Sequence, residues 1–264
     1  MWYSIVKKDI KCSVKDTLSQ CLRKAVTFSV LEIPIVDDNN VLRGVLNLNK
    51  IAYQVGELIG KFDKIKCIDV SSSPRLTIAI EEDPPLLSVL KRMVENNTTV
   101  AYVVNKPNNT YEGLILLRDL LKVIINNKLG SLRISGDFIV KRAALLGDDE
   151  NLIQAIEILA HRNEPCGIVY DGYEVSSIMC LGEALSVSTS INVDNVEYYV
   201  VDQASRKSVF IDINDTLEKA IEMLNEYQVD MLIVSDEYGN ILGVLTVNKL
   251  ASKILEILEA KGEG

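Results

Sequence analysis

The stretch NDTLEKAIEMLNEYQVDMLIVSDEYGNILGVLT, residues 214–246, decides the fold. Its opening, Asn214-Asp215-Thr216-Leu217, is a helix start. A short polar N-cap precedes Leu217, Ala220, Ile221 and Leu224, which fall at i, i+3, i+4 and i+7 on one apolar face. The run Met231 to Val234 predicts a strand. Glu237-Tyr238-Gly239-Asn240 predicts a hairpin turn, and Gly243-Val244-Leu245-Thr246 the returning strand.

The same order stands three times earlier in the chain. Lys15-Asp16-Thr17-Leu18 leads to Ile33-Pro34-Ile35-Val36-Asp37 and Gly44-Val45-Leu46-Asn47. Asp83-Pro84-Pro85-Leu86 leads to Ala101-Tyr102-Val103-Val104 and Gly113-Leu114-Ile115-Leu116. Asp149-Glu150-Asn151-Leu152 leads to Gly167-Ile168-Val169-Tyr170-Asp171 and Ser177-Ile178-Met179-Cys180. The helix-entry leucines Leu18, Leu86, Leu152 and Leu217 lie 68, 66 and 65 residues apart, too regular for chance. Each repeat reads as β-α-β-β-α. A repeat of about 60 residues buries too little surface to stand alone, so repeats are expected to pack in pairs.

The fold class expected is α/β (α+β), four such repeats in two modules. The first module is 1–130 (repeats about 1–64 and 65–130) and the second 131–264 (repeats about 131–195 and 196–264). The break falls near Leu129-Gly130-Ser131, where a helix from Asp119 to Lys128 stops with Gly130 at its C-cap.

Composition narrows the function. The 264 residues carry 37 acidic and 28 basic side chains, a net charge of −9, and are 48% hydrophobic. That apolar fraction excludes a disordered chain, and the charge argues against nucleic-acid binding, which rests on clustered Lys and Arg. Any phosphate-bearing ligand must meet a local basic site. Five cysteines (Cys12, Cys21, Cys67, Cys166, Cys180) never form C-x-x-C and are read as small buried hydrophobes; no metal site is expected. With His161 the single histidine, triad catalysis is disfavoured and no enzyme is expected. The N-terminal charges follow the apolar run, the reverse of a signal peptide, and no 18-residue apolar stretch occurs. A cytoplasmic protein without membrane association is expected.

At these residues the chain resembles the cystathionine β-synthase (CBS) domain family, in a four-copy layout similar to the regulatory gamma subunit of AMP-activated protein kinase. The resemblance covers nearly the whole chain and rests on the strand ending at Asp37 and on the family signature G-h-h-T-x-x-D-h. It implies paired repeats, called Bateman modules, with clefts that bind AMP, ADP, ATP or S-adenosylmethionine. The signature Asp would hold the ribose hydroxyls, and the Thr would approach ribose or phosphate.

No repeat keeps the whole signature. Repeat 2 keeps Asp119 and has Leu116 for Thr; repeat 4 keeps Thr246 and has Lys249 for Asp; repeat 1 has Asn47 and Lys50; repeat 3 offers Glu183. A carboxylate accepts bonds from two hydroxyls, whereas Lys only donates, so Asp119 is the first ribose candidate and Glu183 the second. Lys50 and Lys249 can instead attract a phosphate.

Counting back from each helix-entry leucine gives Lys7 and Lys8, Arg75, Lys141 and Arg142, and Arg206 and Lys207, basic residues placed to meet a phosphate. His161-Arg162 could add another contact. Candidates for the apolar adenine pocket are Ile78, Ala79, Ala101 and Tyr102 in the first module and Ile211, Asp212, Asp230 and Met231 in the second. The function expected is a regulatory module sensing adenine nucleotides, AMP before ADP or ATP, working as a homodimer or on an unknown regulated protein. The alternative is a structural interaction or dimerisation module whose degenerate sites bind no ligand.

Overall fold

The computed structural model describes residues 2–106, 108–129 and 131–262. Repeat 1 contains β1 (Cys12–Ser13), α1 (Leu18–Thr27), β2 (Glu32–Val36), β3 (Leu42–Asn47), α2 (Leu48–Ala52) and α3 (Val55–Leu58). Repeat 2 contains β4 (Thr77–Ala79), α4 (Leu86–Glu95), β5 (Val100–Asn105), β6 (Thr110–Leu116) and α5 (Leu117–Lys128). Repeat 3 contains β7 (Leu145–Gly147), α6 (Leu152–Arg162), β8 (Cys166–Tyr170), β9 (Val175–Cys180) and α7 (Leu181–Ser188). Repeat 4 follows β10 (Ser205–Lys207) with β11 (Phe210–Asp212), α8 (Leu217–Glu226), β12 (Met231–Ser235), β13 (Ile241–Thr246) and α9 (Val247–Ala260).

Each repeat builds one mixed sheet, in which the first strand pairs parallel to the second and the second antiparallel to the third. The helix starts are capped much as the sequence predicts. Thr17 and Gln20 form a reciprocal capping box, and Asn151 and Thr216 accept from the first turns of α6 and α8. In repeat 2, Pro85 stands at the cap and offers no side-chain acceptor. Gly130, the expected C-cap of α5, lies outside the described residues.

The grouping of repeats differs from the expected 1–130 and 131–264. One compact unit comprises residues 1–9, 74–142 and 209–264; the other comprises 10–73 and 143–208. Repeat 2 therefore packs with repeat 4, and repeat 1 with repeat 3. In the first unit α5 lies against α8 and α4 against α9. Their shared core holds Leu120, Leu121, Ile124, Ala220, Ile221, Leu224, Leu250 and Ile254. In the second unit α1 and α2 lie against α7, burying Leu18, Leu22, Ala25, Leu181, Ala184 and Leu185. The physical reason is that every helix carries the same kind of apolar stripe, and nothing in that stripe favours the sequence neighbour.

The segments before the first strands cross between repeats. Lys7 pairs with Leu114 beside β6, its N–H donating at 2.8 Å and its carbonyl accepting at 3.0 Å. Ser72 pairs with Val45 beside β3 in the same way, and Val140 with Val244 beside β13. The fourth such segment is β10, which pairs antiparallel with β9. Each sheet thus gains an edge segment from the stretch leading into another repeat.

Two cysteines depart from the reading as separate thiols. Cys166 and Cys180 face each other across β8 and β9, Cα–Cα 4.0 Å, and form a disulfide; Cys12, Cys21 and Cys67 are free and buried. Only strand register brings the pair together, which is why their spacing of 14 carried no signal.

The hairpin aspartates Asp37, Asp171 and Asp236 each accept hydrogen bonds from the turn that follows. The Val41 and Asn39 N–H groups and the Arg43 side chain hold the Asp37 carboxyl below the usual range. The Glu174 and Tyr173 N–H groups do so for Asp171, and the Asn240 side chain and turn N–H groups for Asp236. Depressed folded-state values mean this stabilisation is complete above the unfolded carboxyl value and lost as pH falls through the folded one. Melting temperatures followed from about pH 7 to about pH 3 should fall more steeply for the natural chain than for D37N/D171N/D236N. Equal slopes would refute the assignment.

Candidate functional site

The last strand of every repeat runs into its helix without a loop. The acidic slot of the signature is consequently the third helical residue: Lys50 in α2, Asp119 in α5, Glu183 in α7 and Lys249 in α9. Asp119 is not the cap of its helix, as a start at Leu120 would make it. It sits in the first turn, where the partial positive charge of the helix N-terminus favours a carboxylate.

Repeats with an acid in the slot lack a side-chain cap, since Leu116 and Cys180 stand there. Repeats with Lys have one. Asn47 Oδ1 accepts from the Lys50 N–H at 3.1 Å, and Thr246 Oγ1 from the Lys249 N–H at 3.2 Å. Thr246 is therefore a helix cap, and its hydroxyl oxygen is engaged by its own helix.

The crossing segments bring basic residues to both acids. Lys7 Nζ lies 3.4 Å from Asp119 Oδ2, and Arg206 Nη1 lies 3.0 Å from Glu183 Oε1. Lys7 pairs with the residue after Gly113, and Arg206 with the residue after Ser177, so the two occupy equivalent places. Ser72 and Val140 occupy that place beside repeats 1 and 4. A basic bridge residue thus accompanies an acid in the slot, and a neutral one accompanies Lys50 or Lys249.

This corrects the basic residue expected before every first strand. Arg75 and Arg142 are exposed and do not hold the place of Lys7; Arg75 donates to the Asn97 carbonyl at 2.7 Å. A fixed count back from the leucine missed this because the bridge residue precedes it by 11 residues in repeats 1 and 4, but by 14 and 12 in repeats 2 and 3.

Asp119 is the more unusual of the two acids. Its side chain is 16% exposed, against 28% for Glu183, and its Oδ2 is buried without a hydrogen bond despite the nearby Lys7 ammonium. Buried carboxylate oxygens are ordinarily hydrogen-bonded, whereas the contact of this one is the ion pair with Lys7. Arg206 Nη2 also reaches Cys180 Sγ at 3.6 Å, while Arg206 Nε, Ser177 Oγ on β9 and Ser208 Oγ just after β10 are buried without hydrogen bonds. Ser177 and Ser208 escaped the sequence reading. Their one signal is that Ser177 stands where the other repeats have Gly.

The adenine-pocket candidates divide by strand alternation. Ile78, Ala101 and Ile211 point into the helical core of the first unit. Ala79, Tyr102 and Met231 alternate to the opposite face and are also buried. Asp212 forms a local turn, its Oδ1 accepting from the Asn214 N–H at 2.7 Å. Asp230 pairs with the buried Arg118, Nη1 to Oδ1 3.5 Å, joining repeats 4 and 2. His161 stacks edge-on to Tyr53, centroids 5.2 Å apart, and Arg162 pairs with Glu164.

The CBS domain family model matches residues 69–126 and 200–256, repeats 2 and 4. Repeats 2 and 4 are CBS domains. Repeats 1 and 3 of this CBS-domain protein share the strand order of the matched pair. The uncharacterized protein MJ0450 of Methanocaldococcus jannaschii is 25% identical over 130 residues, 46% of this chain and 68% of that protein. Among solved structures, protein MJ1225 of the same organism, described as a candidate archaeal homolog of g-AMPK, superposes with a TM-score of 0.80 at 16% identity, covering 96% of this chain and 99% of that one. An uncharacterized conserved protein of Pyrococcus horikoshii gives a TM-score of 0.60 at 14% identity, covering 95% and 97%. At those identities the likeness is one of fold. No helix among the described residues is long and apolar enough to cross a membrane.

Proposed function

We propose that this CBS-domain protein is a non-catalytic regulatory module that binds an adenosine ligand, with AMP first and ADP or ATP next, through Asp119. The observation that carries this reading is the buried Asp119 Oδ2, which makes no hydrogen bond and has the Lys7 ammonium 3.4 Å away. Two ribose hydroxyls would donate to that carboxylate, and Lys7 would turn toward the phosphate. Glu183, already held by Arg206 at 3.0 Å, is the weaker second site. Lys50 and Lys249 can donate but not accept, so repeats 1 and 4 cannot hold ribose in this way.

Ligand binding would stabilise the liganded arrangement by RT ln(1 + [L]/Kd), about 2.7 kcal/mol at a hundredfold excess over Kd. A partner protein, or a second copy of the chain, would read that bias. Calorimetry and thermal melts with AMP, ADP, ATP and S-adenosylmethionine test the reading. The natural chain should bind at least one of them. D119N should weaken binding about tenfold to a hundredfold, the loss of a charge-assisted bond of roughly 1.5–3 kcal/mol. Absence of heat and of any melting shift with all four, together with a stable homodimer, would favour the interaction module instead.

A further inference from the structure

Outside the Asp119 region, the second unit holds three buried free thiols beside a partly exposed carboxylate, Asp16. Cys12 lies on β1, Cys21 in α1 and Cys67 at the start of a one-turn 3-10 helix (Cys67–Val70); they are 1%, 0% and 0% exposed. The sulfurs of Cys12 and Cys21 and a carboxylate oxygen of Asp16 all lie within 4.8 Å of one another. Cys67 joins them because residues 65–67 run along the turn before α1. There the Leu18 N–H donates to the Ile65 carbonyl at 2.8 Å and the Cys67 N–H to the Asp16 carbonyl at 3.0 Å. Cys67 Sγ donates to the Ser13 carbonyl at 3.4 Å, and the Cys21 thiol is close enough to interact with both other cysteines.

A lone buried cysteine is a small hydrophobe, and a core gains nothing from placing three beside a carboxylate. The Cys12 and Cys21 sulfurs and the Asp16 oxygen lie within ligand range of one another, and with the Cys67 thiol beside Cys21 they supply the donor types of a tetrahedral site for a borderline-soft ion. We propose that Cys12, Cys21, Cys67 and Asp16 form a binding site for a thiophilic divalent metal ion of the zinc class.

On binding, each of the three thiols loses its proton to solvent, and the ion exchanges bound waters for three thiolates and one carboxylate oxygen. The four anionic ligands outweigh the ion's charge, and Lys24 offsets part of the excess, its Nζ 2.7 Å from Asp16 Oδ2. The Ser13 N–H, 2.9 Å from the same oxygen, orients the carboxylate from behind. Thiols ligate such an ion as thiolates, so binding releases their protons.

Anaerobic titration of the reduced full-length chain with Co2+ tests the site. The expected result is a saturable one-to-one rise of thiolate-to-cobalt charge-transfer and tetrahedral d–d absorption, abolished by an equivalent of Zn2+, with protons released to a weakly buffered indicator dye. The bands should vanish in C12A/C21A and persist in C166A/C180A. No charge-transfer band in the natural chain, persistence in C12A/C21A, or loss in C166A/C180A would overturn the proposal.

A measurement on the natural chain guards against misfolding of the C12A/C21A variant. Alkylation in urea just below the unfolding midpoint, with and without Zn2+, is mapped by peptide mass spectrometry. Zn2+ should slow labelling of Cys12, Cys21 and Cys67 at least tenfold; equal labelling in both samples would overturn the site.

Discussion

Gly243→Ala should destabilise the protein by about 3 kcal/mol, whereas Ser177→Gly at the equivalent position of repeat 3 should cost about 1 kcal/mol or less. Gly243 has φ +142, and a Cβ there would stand 2.5 Å from the Val140 carbonyl oxygen and 2.6 Å from an Ile139 side-chain carbon. The backbone atom cannot move aside without breaking the bridge that holds the crossing segment, Val140 N–H to the Val244 carbonyl at 2.8 Å and Val244 N–H to the Val140 carbonyl at 3.0 Å. Strain in a glycine-only conformation and the loss of one or both bonds each contribute on the order of 1–3 kcal/mol.

Gly113 is built alike, with φ +143 and the Lys7 carbonyl oxygen 2.9 Å from the would-be Cβ. There, Gly113→Ala should also push Lys7 away from Asp119 and weaken ligand binding. Ser177 faces a regular strand, β10, and already carries a side chain. Urea denaturation of G243A, G113A and S177G checks the ordering; a G243A midpoint equal to that of the natural chain would show that the close approach is relaxed in solution.

Ile221→Ala should cost about 2–5 kcal/mol with little change in the denaturant slope. Ile221 is wholly buried and belongs to the core of the first unit, on the helix α8 that packs against α5. Truncation removes three carbons from a packed interior and leaves a cavity whose walls are the helices of two different repeats. Tyr238→Ala, at a hairpin position that is 82% exposed, should change stability by no more than about 0.5 kcal/mol. Because the core joins repeats 2 and 4, hydrogen exchange in I221A should accelerate in α5 together with α8. Acceleration confined to repeat 4 would contradict the pairing.

Much of the candidate site was legible before the structure. Asp119 and Glu183 were singled out as the acids of the signature, and Lys7 and Arg206 as basic residues before first strands. What the residues did not reveal is that these belong together. Leu114 and Lys7 lie more than a hundred residues apart, and their adjacency is a matter of which sheet edge the N-terminal segment meets. Ile78, Ala101 and Ile211 face the helical core, a placement the residues could not reveal because one strand offers two faces and apolar character alone does not say which face meets the helices.

Local rules account for what the chain's residues determined alone. Capping side chains, the i, i+3, i+4, i+7 stripes and the hairpin aspartates act over a few positions, so the four repeats, their element order and the helix starts follow from short-range chemistry. Tertiary structure decided the partner of every shared surface. Repeat 2 packs with 4 and 1 with 3, Cys166 meets Cys180, and the Cys12 and Cys21 thiols meet Asp16. Four similar apolar stripes give no local reason for one pairing over another, and only the simultaneous closure of sheets, helices and crossing segments selects it.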